Sequence, residues 1–129
     1  MINLKNLSVV LTGATGGIGN SILKKLVEQG ANVLATGTND DKLKNIKDKF
    51  PSVKVEKFDI SKHDEIENFI DKSYQILGNK IDVLINNAAI TLSDTTLKYT
   101  LSNWNKTFQI NLNACFYMSQ LSAKNMVMF

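Results

Sequence analysis

The chain has 129 residues, of which 43% are hydrophobic, and this is enough for one domain with one apolar core. The single cysteine excludes an intrachain disulfide. Because the sequence also has only one histidine, we expect no metal site built from cysteine and histidine. The net charge of +3 comes from lysines scattered among acids, which does not indicate a nucleic-acid partner. No run of 18 apolar residues occurs and the amino end lacks a signal-peptide pattern, so we expect a cytoplasmic protein without a membrane segment.

Short apolar runs alternate along the chain with longer segments of helical periodicity. The sequence predicts strands at residues 7–11, 33–35, 53–58 and 81–85, and helices at residues 17–29, 41–49, 62–77 and 103–126. The fourth strand, "IDVLI", is almost continuously apolar, as a parallel strand covered on both faces needs to be. This βαβαβαβα order, with helical crossovers between strands, predicts a doubly wound α/β sheet.

A glycine-rich stretch, "LTGATGGIGN" at residues 11–20, joins the first strand to the first helix. The first turn of a helix has unpaired N–H groups and the positive end of the helix dipole, which together bind an anion such as a pyrophosphate. We expect Gly13 to permit a tight turn, Gly17 a close backbone approach, and Gly19 the packing of helix against strand. No Gly-Lys-Ser/Thr follows, which excludes a P-loop. A glycine-rich turn without a ligand is the alternative, but the position within a βαβ unit favours dinucleotide binding.

Four motifs carry a resemblance to a known family: "TGATGGIG" at 12–19, "FDI" at 58–60, "NNAA" at 86–89 and "INL" at 110–112. Their order and separations resemble those of short-chain dehydrogenases/reductases, and the stretch 86–112 is most similar to the 3-oxoacyl-[acyl-carrier-protein] (β-ketoacyl-ACP) reductases. The resemblance covers the whole chain but only the first half, or slightly more, of a typical member. It implies a Rossmann-type parallel sheet truncated to about four strands in the order 3-2-1-4. It also implies a single NAD(P)-binding domain, residues 1–129, incomplete at its carboxyl end.

The same resemblance implies a site for a nicotinamide dinucleotide. Thr38 would face the ribose that carries the 2′ group, and Asp59 with Ile60 would border the adenine. Asn87 and Ala88 would pass beneath the cofactor's ribose, and the glycine loop would line the pyrophosphate and nicotinamide side. The implied cofactor-binding residues are Gly13, Ala14, Thr15, Gly16, Gly17, Ile18, Gly19, Thr38, Asp59, Ile60, Asn87 and Ala88.

Neighbouring residues have other interpretations or depart from the family pattern. The resemblance implies that Asn86 joins the fourth strand to the glycine loop, whereas an Asx turn formed by Asn86 and Asn87 is the alternative. Asp59 would, on the alternative interpretation, only cap the turn before residue 61. Ala89 replaces the last glycine of the usual "NNAG", and Gly16 stands where members that prefer a 2′-phosphate often have arginine or lysine.

The end of the second strand bears on the choice of cofactor. It reads "ATGT", residues 35–38, without the acid that binds the 2′-hydroxyl of NAD and repels a 2′-phosphate. Asp40 and Asp41 come about 20 residues after the last loop glycine, but we expect them to cap the helix that begins near Lys42. NADP(H) is therefore the preferred cofactor, and NAD(H) is the alternative.

The catalytic residues that the resemblance implies are mostly absent from this sequence. Family members use a Tyr-x-x-x-Lys pair, a serine and an asparagine, but none of the three tyrosines here is followed by lysine at the fourth position. Only the asparagine has a counterpart, Asn111. We expect it on an apolar helical stripe with Trp104, Phe108, Cys115 and either Met118 or Ser119. A buried amide needs a hydrogen-bond partner, and the alternative is that Asn111 only bonds a neighbouring backbone.

Two functions follow as hypotheses. The chain is the cofactor-binding part of a reductase that converts 3-oxoacyl-ACP to 3-hydroxyacyl-ACP in fatty acid synthesis, inactive as an isolated chain. Alternatively, it is a non-catalytic nucleotide-binding or interaction fragment that pairs with full-length relatives. In either case we expect self-association as a homo-oligomer, through the open edge of the fourth strand or through the last helix. The apolar ending "NMVMF" is interpreted as that of an interrupted or split protein.

Overall fold

The computed structural model describes residues 3–127, and these form one parallel sheet with helices on both faces. The strands are β1 (Ser8–Leu11), β2 (Asn32–Gly37), β3 (Lys54–Lys57) and β4 (Val83–Ile85). The helices are α1 (Gly17–Glu28), α2 (Asp40–Lys49), α3 (Ile66–Ile76), α4 (Leu101–Phe108) and α5 (Ala114–Met126). A 3₁₀ turn, His63–Glu65, precedes α3, and a π-helical segment, Gln109–Asn113, joins α4 to α5.

The strand order is β3-β2-β1-β4, which confirms the predicted 3-2-1-4 sheet and the doubly wound fold class. Every pair is parallel, with Val9 of β1 level with Val33 of β2 and with Val83 of β4. Parallel neighbours need crossover connections, and here each connection carries at least one helix. The central position of β1 puts the loop that follows it at the middle of the carboxyl edge of the sheet.

Two apolar cores, one on each face, hold the sheet between its helices. Successive side chains of a strand point to opposite faces, so Val10 and Leu34 pack with α3 and α5, whereas Val9 and Val33 pack with α1 and α2. All four residues of β1 are buried, whereas Val83–Ile85 of β4, the strand predicted to be covered on both faces, are only partly buried. Between residues 3 and 127, no helix is both long and apolar enough to cross a lipid bilayer.

Polar side chains hold the amino ends of the strands together. The backbone N–H of Ser8 donates to Asp82 Oδ2 at 2.8 Å, and Lys80 Nζ lies 3.0 Å from the other carboxylate oxygen. Asn32 Nδ2 donates to the carbonyl of Leu77 at 3.3 Å. Burial alone raises the pKa of Asp82, but the Ser8 hydrogen bond and the Lys80 charge outweigh burial and hold it below its usual value. This carboxylate is therefore ionised where it joins β4 to β1.

The prediction for the amino end of the second helix needs a correction. Asp40 and Asp41 do not cap α2, because the N-cap is Asn39, whose Oδ1 accepts the N–H of Lys42 at 2.9 Å. The two aspartates instead occupy the first turn, where their charge is favourable to the helix dipole. Asp40 also forms an ion pair with Lys57 of β3.

The predicted single helix at residues 103–126 is interrupted, and the predicted apolar stripe is confirmed only beyond the interruption. Met118 is fully buried, as predicted, whereas Trp104 and Phe108 are 53% and 41% exposed and Cys115 is partly buried. The π-helical segment lies between Phe108 and Met118, and its wider turn changes the phase of the helix. A stripe drawn with 3.6 residues per turn through this segment therefore joins positions that lie on different faces.

Candidate functional site

The glycine loop is held to the end of β4 by the buried side chain of Thr12. This residue follows β1 directly and is only 1% exposed. Its Oγ1 accepts the backbone N–H groups of Asn87 and Ala88, each at 3.0 Å, and donates to the carbonyl of Ile85 at 3.2 Å. One hydroxyl thus bonds the carbonyl of the last residue of β4 and the N–H groups of two residues just beyond that strand.

Asn87, and not Asn86, is the side chain that joins β4 to the glycine loop. Asn87 Nδ2 donates to the carbonyls of Thr12, at 3.1 Å, and Gly13, at 3.0 Å. The expectation for Asn86 is wrong, because its Nδ2 donates to Ser119 Oγ on α5 instead. Alternation along β4 explains the difference: Ile85 packs on the α1 face, so Asn87 continues toward the loop and Asn86 toward α5.

Two loop glycines are required by close contacts. Gly13 has φ +63°, and a Cβ there would lie 2.7 Å from Ala88 Cα. A Cβ on Gly19 would collide with the carbonyl of Gly13 and would lie 2.8 Å from Asn87 Nδ2. Gly19 therefore permits the loop to fold against α1 and Asn87, which corrects the expectation that it permits packing of α1 against a strand.

The amino end of α1 presents backbone without competing side chains. Gly16 is its N-cap and provides no side-chain acceptor, and the first turn contains no acidic residue. A Cβ on Gly17 would meet no atom within 4 Å, so the space beside this residue is open. The helix end therefore offers N–H groups and a positive dipole end to an anion.

A cavity of about 450 Å³ opens beside this helix end, along the carboxyl edge of the sheet. Every predicted cofactor-binding residue except Ala14 lines it: Gly13, Thr15, Gly16, Gly17, Ile18, Gly19, Thr38, Asp59, Ile60, Asn87 and Ala88. Ala14 is fully buried below the loop, where its N–H donates to the carbonyl of Thr36 at 3.0 Å. Ala14 does not line the cavity because the turn points it back into the sheet, and its role in binding the cofactor stays a prediction.

The cavity has six further lining residues that were not among the predicted cofactor-binding residues: Thr36, Gly37, Phe58, Ala89, Ile90 and Ile110. Most of them stand at or just beyond the carboxyl ends of β2, β3 and β4. The carboxyl ends of parallel strands share one edge of the sheet, where ligands bind, so strand order combined with strand ends is a signal that could have found them. Phe58, Ala89 and Ile110 also lie in three of the motifs that carry the family resemblance, which is a second signal.

Asn111 does not line the cavity, and its side chain bonds a loop backbone instead. Its Oδ1 accepts the N–H of Ile90 at 2.9 Å, and its Nδ2 donates to the carbonyl of Ile90 at 2.8 Å. The expected hydrogen-bond partner therefore exists, and it is the backbone of the loop after β4 rather than that of a strand. Because Ile90 lines the cavity, Asn111 acts on the site by holding the loop after β4 against the π-helical segment.

Asp59 is the one charged residue among the residues of the described chain that line the cavity. Its Oδ1 accepts the N–H of Ser61 at 2.9 Å, which is the turn-capping bond that the alternative interpretation predicted. Burial raises the pKa of Asp59, but the bonds from Ser61 and the charges of Lys62 and Lys106 outweigh burial and hold it below its usual value. A second carboxylate oxygen stays available to a donor at the cavity wall.

Comparison with known proteins identifies the family. The sequence model of the family described as short chain dehydrogenase matches residues 7–128. The chain belongs to this family. An uncharacterized oxidoreductase of Staphylococcus aureus is 33% identical over 120 residues, covering 92% of this chain and 52% of the relative. Another uncharacterized oxidoreductase, of Staphylococcus saprophyticus, is 35% identical over 119 residues, covering 91% of this chain and 48% of the relative. The chain thus spans about half the length of these curated relatives.

Solved structures of other proteins have the same fold. A short-chain dehydrogenase from Bacillus anthracis is 30% identical and superposes with a TM-score of 0.84, over 92% of this chain and 50% of that one. A mutant short-chain dehydrogenase/reductase of Serratia marcescens superposes with a TM-score of 0.89 at 22% identity, over 97% of this chain and 53% of that one. A blue fluorescent protein from a metagenomic library, solved with NADPH, gives 0.88 at 23% identity, over the same shares. The last two likenesses show the fold alone.

The hydroxyl of Thr12 makes a testable contribution to this short-chain dehydrogenase fold. Thr12→Val keeps the side-chain shape but leaves the N–H of Ala88 without an acceptor, whereas the N–H of Asn87 keeps the carbonyl of Ile85 at 3.1 Å. An orphaned N–H costs about 1–3 kcal/mol, and the Asn87 bond is weakened as well, so we expect the free energy of unfolding to fall by about 2–3 kcal/mol in urea titrations. The control Thr12→Ser keeps the oxygen and should cost about 1 kcal/mol through its lost methyl group. Equal stability of the two variants would contradict this role.

Proposed function

We propose that the chain binds a nicotinamide dinucleotide in this cavity and forms the cofactor-binding part of a short-chain reductase. The observation that carries the proposal is the position of the amino end of α1, uncapped by any side chain, at the wall of a cavity made by the ends of all four parallel strands. Short-chain dehydrogenases use nicotinamide cofactors. When bound, such a cofactor supplies or accepts a hydride at a carbonyl carbon.

The residues that line the cavity fit a nicotinamide dinucleotide. The loop of Gly13, Gly16 and Gly17 would hold the pyrophosphate, because the amino end of α1 offers backbone donors there and the space beside Gly17 is open. The 2′-bearing ribose would lie at Thr38 and the adenine between Asp59 and Ile60, since these groups follow one another along the same cavity.

NADP(H) is the proposed cofactor, in preference to NAD(H). No carboxylate stands at the end of β2, and Asp40, which comes soon after, forms an ion pair with Lys57 outside the cavity. A 2′-phosphate therefore meets no direct repulsion at Thr38. Among the described residues no cation lines the cavity, so the preference rests on the missing acid and not on a positive partner.

The proposed substrate is a 3-oxoacyl thioester carried by an acyl carrier protein. The stretch 86–112 supports it, through its resemblance to β-ketoacyl-ACP reductases. Such a reduction needs a proton donor for the developing alkoxide, and the sequence contains no Tyr-x-x-x-Lys pair to serve as one. We therefore assign to this chain the binding of the cofactor and to Asn111 the positioning of the loop at Ile90.

Cofactor binding is tested by a single methyl group placed in the open space at Gly17. Gly17→Ala should raise the dissociation constant for NADPH about tenfold while leaving the unfolding temperature of the unliganded chain unchanged or higher. Ser21→Ala, one turn along the exposed side of α1 and outside the cavity, is the matched control and should bind as wild type does. Titration by NADPH fluorescence measures both. Wild-type affinity in Gly17→Ala would refute the proposed pyrophosphate position.

The lack of a proton donor is tested by turnover. We expect the purified chain to bind NADPH but to reduce an acetoacetyl thioester no faster than the buffer control, followed by the loss of NADPH absorbance. Catalysis above that background would show that another group of this chain donates the proton, and the assignment of a binding role alone would then be wrong.

An exposed apolar stripe favours a second candidate function, that of an interaction fragment. Its members lie along α4, the π-helical segment and α5: Leu101, Trp104, Phe108, Leu112 and Phe116. All five are exposed, Phe116 to 59%, and Trp104 stacks obliquely on Phe108 at 4.7 Å between ring centroids. Contiguous apolar side chains of this kind mark interaction surfaces.

We expect this stripe to drive self-association. Trp104→Lys together with Phe108→Lys should convert oligomers to monomers in sedimentation velocity, because lysine heads stay hydrated at the helix surface. Leu97→Lys, at a residue that is 99% exposed and precedes α4, is the control and should leave the distribution unchanged. A wild-type chain that sediments as a monomer would refute this second candidate.

A further inference from the structure

Two buried hydroxyl groups within residues 3–127 have no hydrogen-bond partner in the protein: Thr36 Oγ1 and Ser122 Oγ. Each residue is only 1% exposed. A buried hydroxyl without a partner is unfavourable, and proteins pair nearly all such groups, so each of these two requires an explanation. The two hydroxyl groups lie in different places: Thr36 lines the cofactor cavity and Ser122 does not. Only Thr36 Oγ1 is therefore placed to bind a ligand in that cavity.

Thr36 stands in the wall of the proposed cofactor cavity. It is the penultimate residue of β2 and lines the cavity together with Gly37 and Thr38, which follow it. Its carbonyl accepts the N–H of Ala14, which fixes the backbone at the base of the glycine loop. A rigid backbone at this point holds the side chain at a defined place relative to the loop.

The protein surroundings of the Thr36 side chain are apolar. Alternation along β2 puts Thr36 on the same face as Leu34, which packs in the core that contains Phe58 and Ile60. Both of these residues also line the cavity beside Thr36. The cavity itself is therefore the place from which a hydrogen-bond partner can come.

We propose that Thr36 is a binding residue for the adenosine half of the dinucleotide, which provides the partner of its hydroxyl group. The proposal rests on the proposed function, which puts adenosine beside Thr38, Asp59 and Ile60 at the same end of the cavity. Rotation about the Cα–Cβ bond offers the hydroxyl three staggered positions without a backbone movement, and binding would use the one that faces the cavity. Binding then relieves an unfavourable feature of the unliganded chain.

Ser122 provides the matched control. It lies on α5 and faces a shallow groove beside β4 that contains Asp82 and Ser119 and is separate from the cofactor cavity. Removal of either orphan hydroxyl should stabilise the unliganded chain, but only the removal of Thr36 Oγ1 should affect the ligand. The pair therefore distinguishes a general effect of buried hydroxyls from a specific effect on binding.

The experiment compares Thr36→Val, Thr36→Ser and Ser122→Ala with wild type. Unfolding temperatures are measured without ligand, and dissociation constants are measured for NADPH and for adenosine 2′,5′-bisphosphate, which lacks the nicotinamide half. We expect Thr36→Val to raise the unfolding temperature by about 3–5 °C and to weaken both ligands by the same factor of about ten. Thr36→Ser should keep the affinity within about twofold, and Ser122→Ala should bind as wild type does.

The outcomes separate this proposal from the one on which it rests. If wild type binds neither ligand, the proposed cofactor site is wrong and this inference falls with it. If wild type binds both and Thr36→Val binds equally well, only the role of Thr36 is refuted. A loss of affinity for NADPH without a loss for the bisphosphate would also overturn it, because the hydroxyl would then meet the nicotinamide half.

Discussion

The site depends on the hydrogen bonds by which Thr12 and Asn87 hold the glycine loop to the end of β4. Beyond Leu11 and Ile85 the two central strands no longer pair, and their backbone groups need other partners. The Thr12 hydroxyl and the Asn87 amide provide them, and both side chains are short enough to leave the cavity open. The positions of the loop carbonyls, the amino end of α1 and the cavity floor all follow from this junction.

Much of the fold and of the candidate site could be predicted from the sequence, namely the parts whose cause is local or topological. The glycine spacing predicted the anion-binding turn, because a left-handed residue and a close approach each demand glycine at a fixed place. The alternation of strands and helices predicted a parallel sheet, and the family resemblance supplied its strand order. Nearly all predicted lining residues meet in one cavity because the ends of parallel strands share one edge.

The errors have equally physical causes. Adjacent asparagines look alike in a sequence, and only the face to which Ile85 points decides that Asn87 reaches the loop. The π-helical segment changes the helical phase without any residue type that announces it, so Trp104 and Phe108 were assigned to the wrong side. Thr36 is an ordinary strand residue by composition, and only its burial and missing partner mark it.

The junction between Thr12 and Asn87 also governs the order in which the chain acquires its shape. The residues that it joins are separated by 75 positions along the chain. Contacts of such separation form late, because the intervening chain must first be ordered. During synthesis from the amino end, the glycine loop is made among the first residues but has no acceptor or donor from β4 until that strand emerges. The glycine loop is thus synthesised well before the residues after β4 that hold it in place.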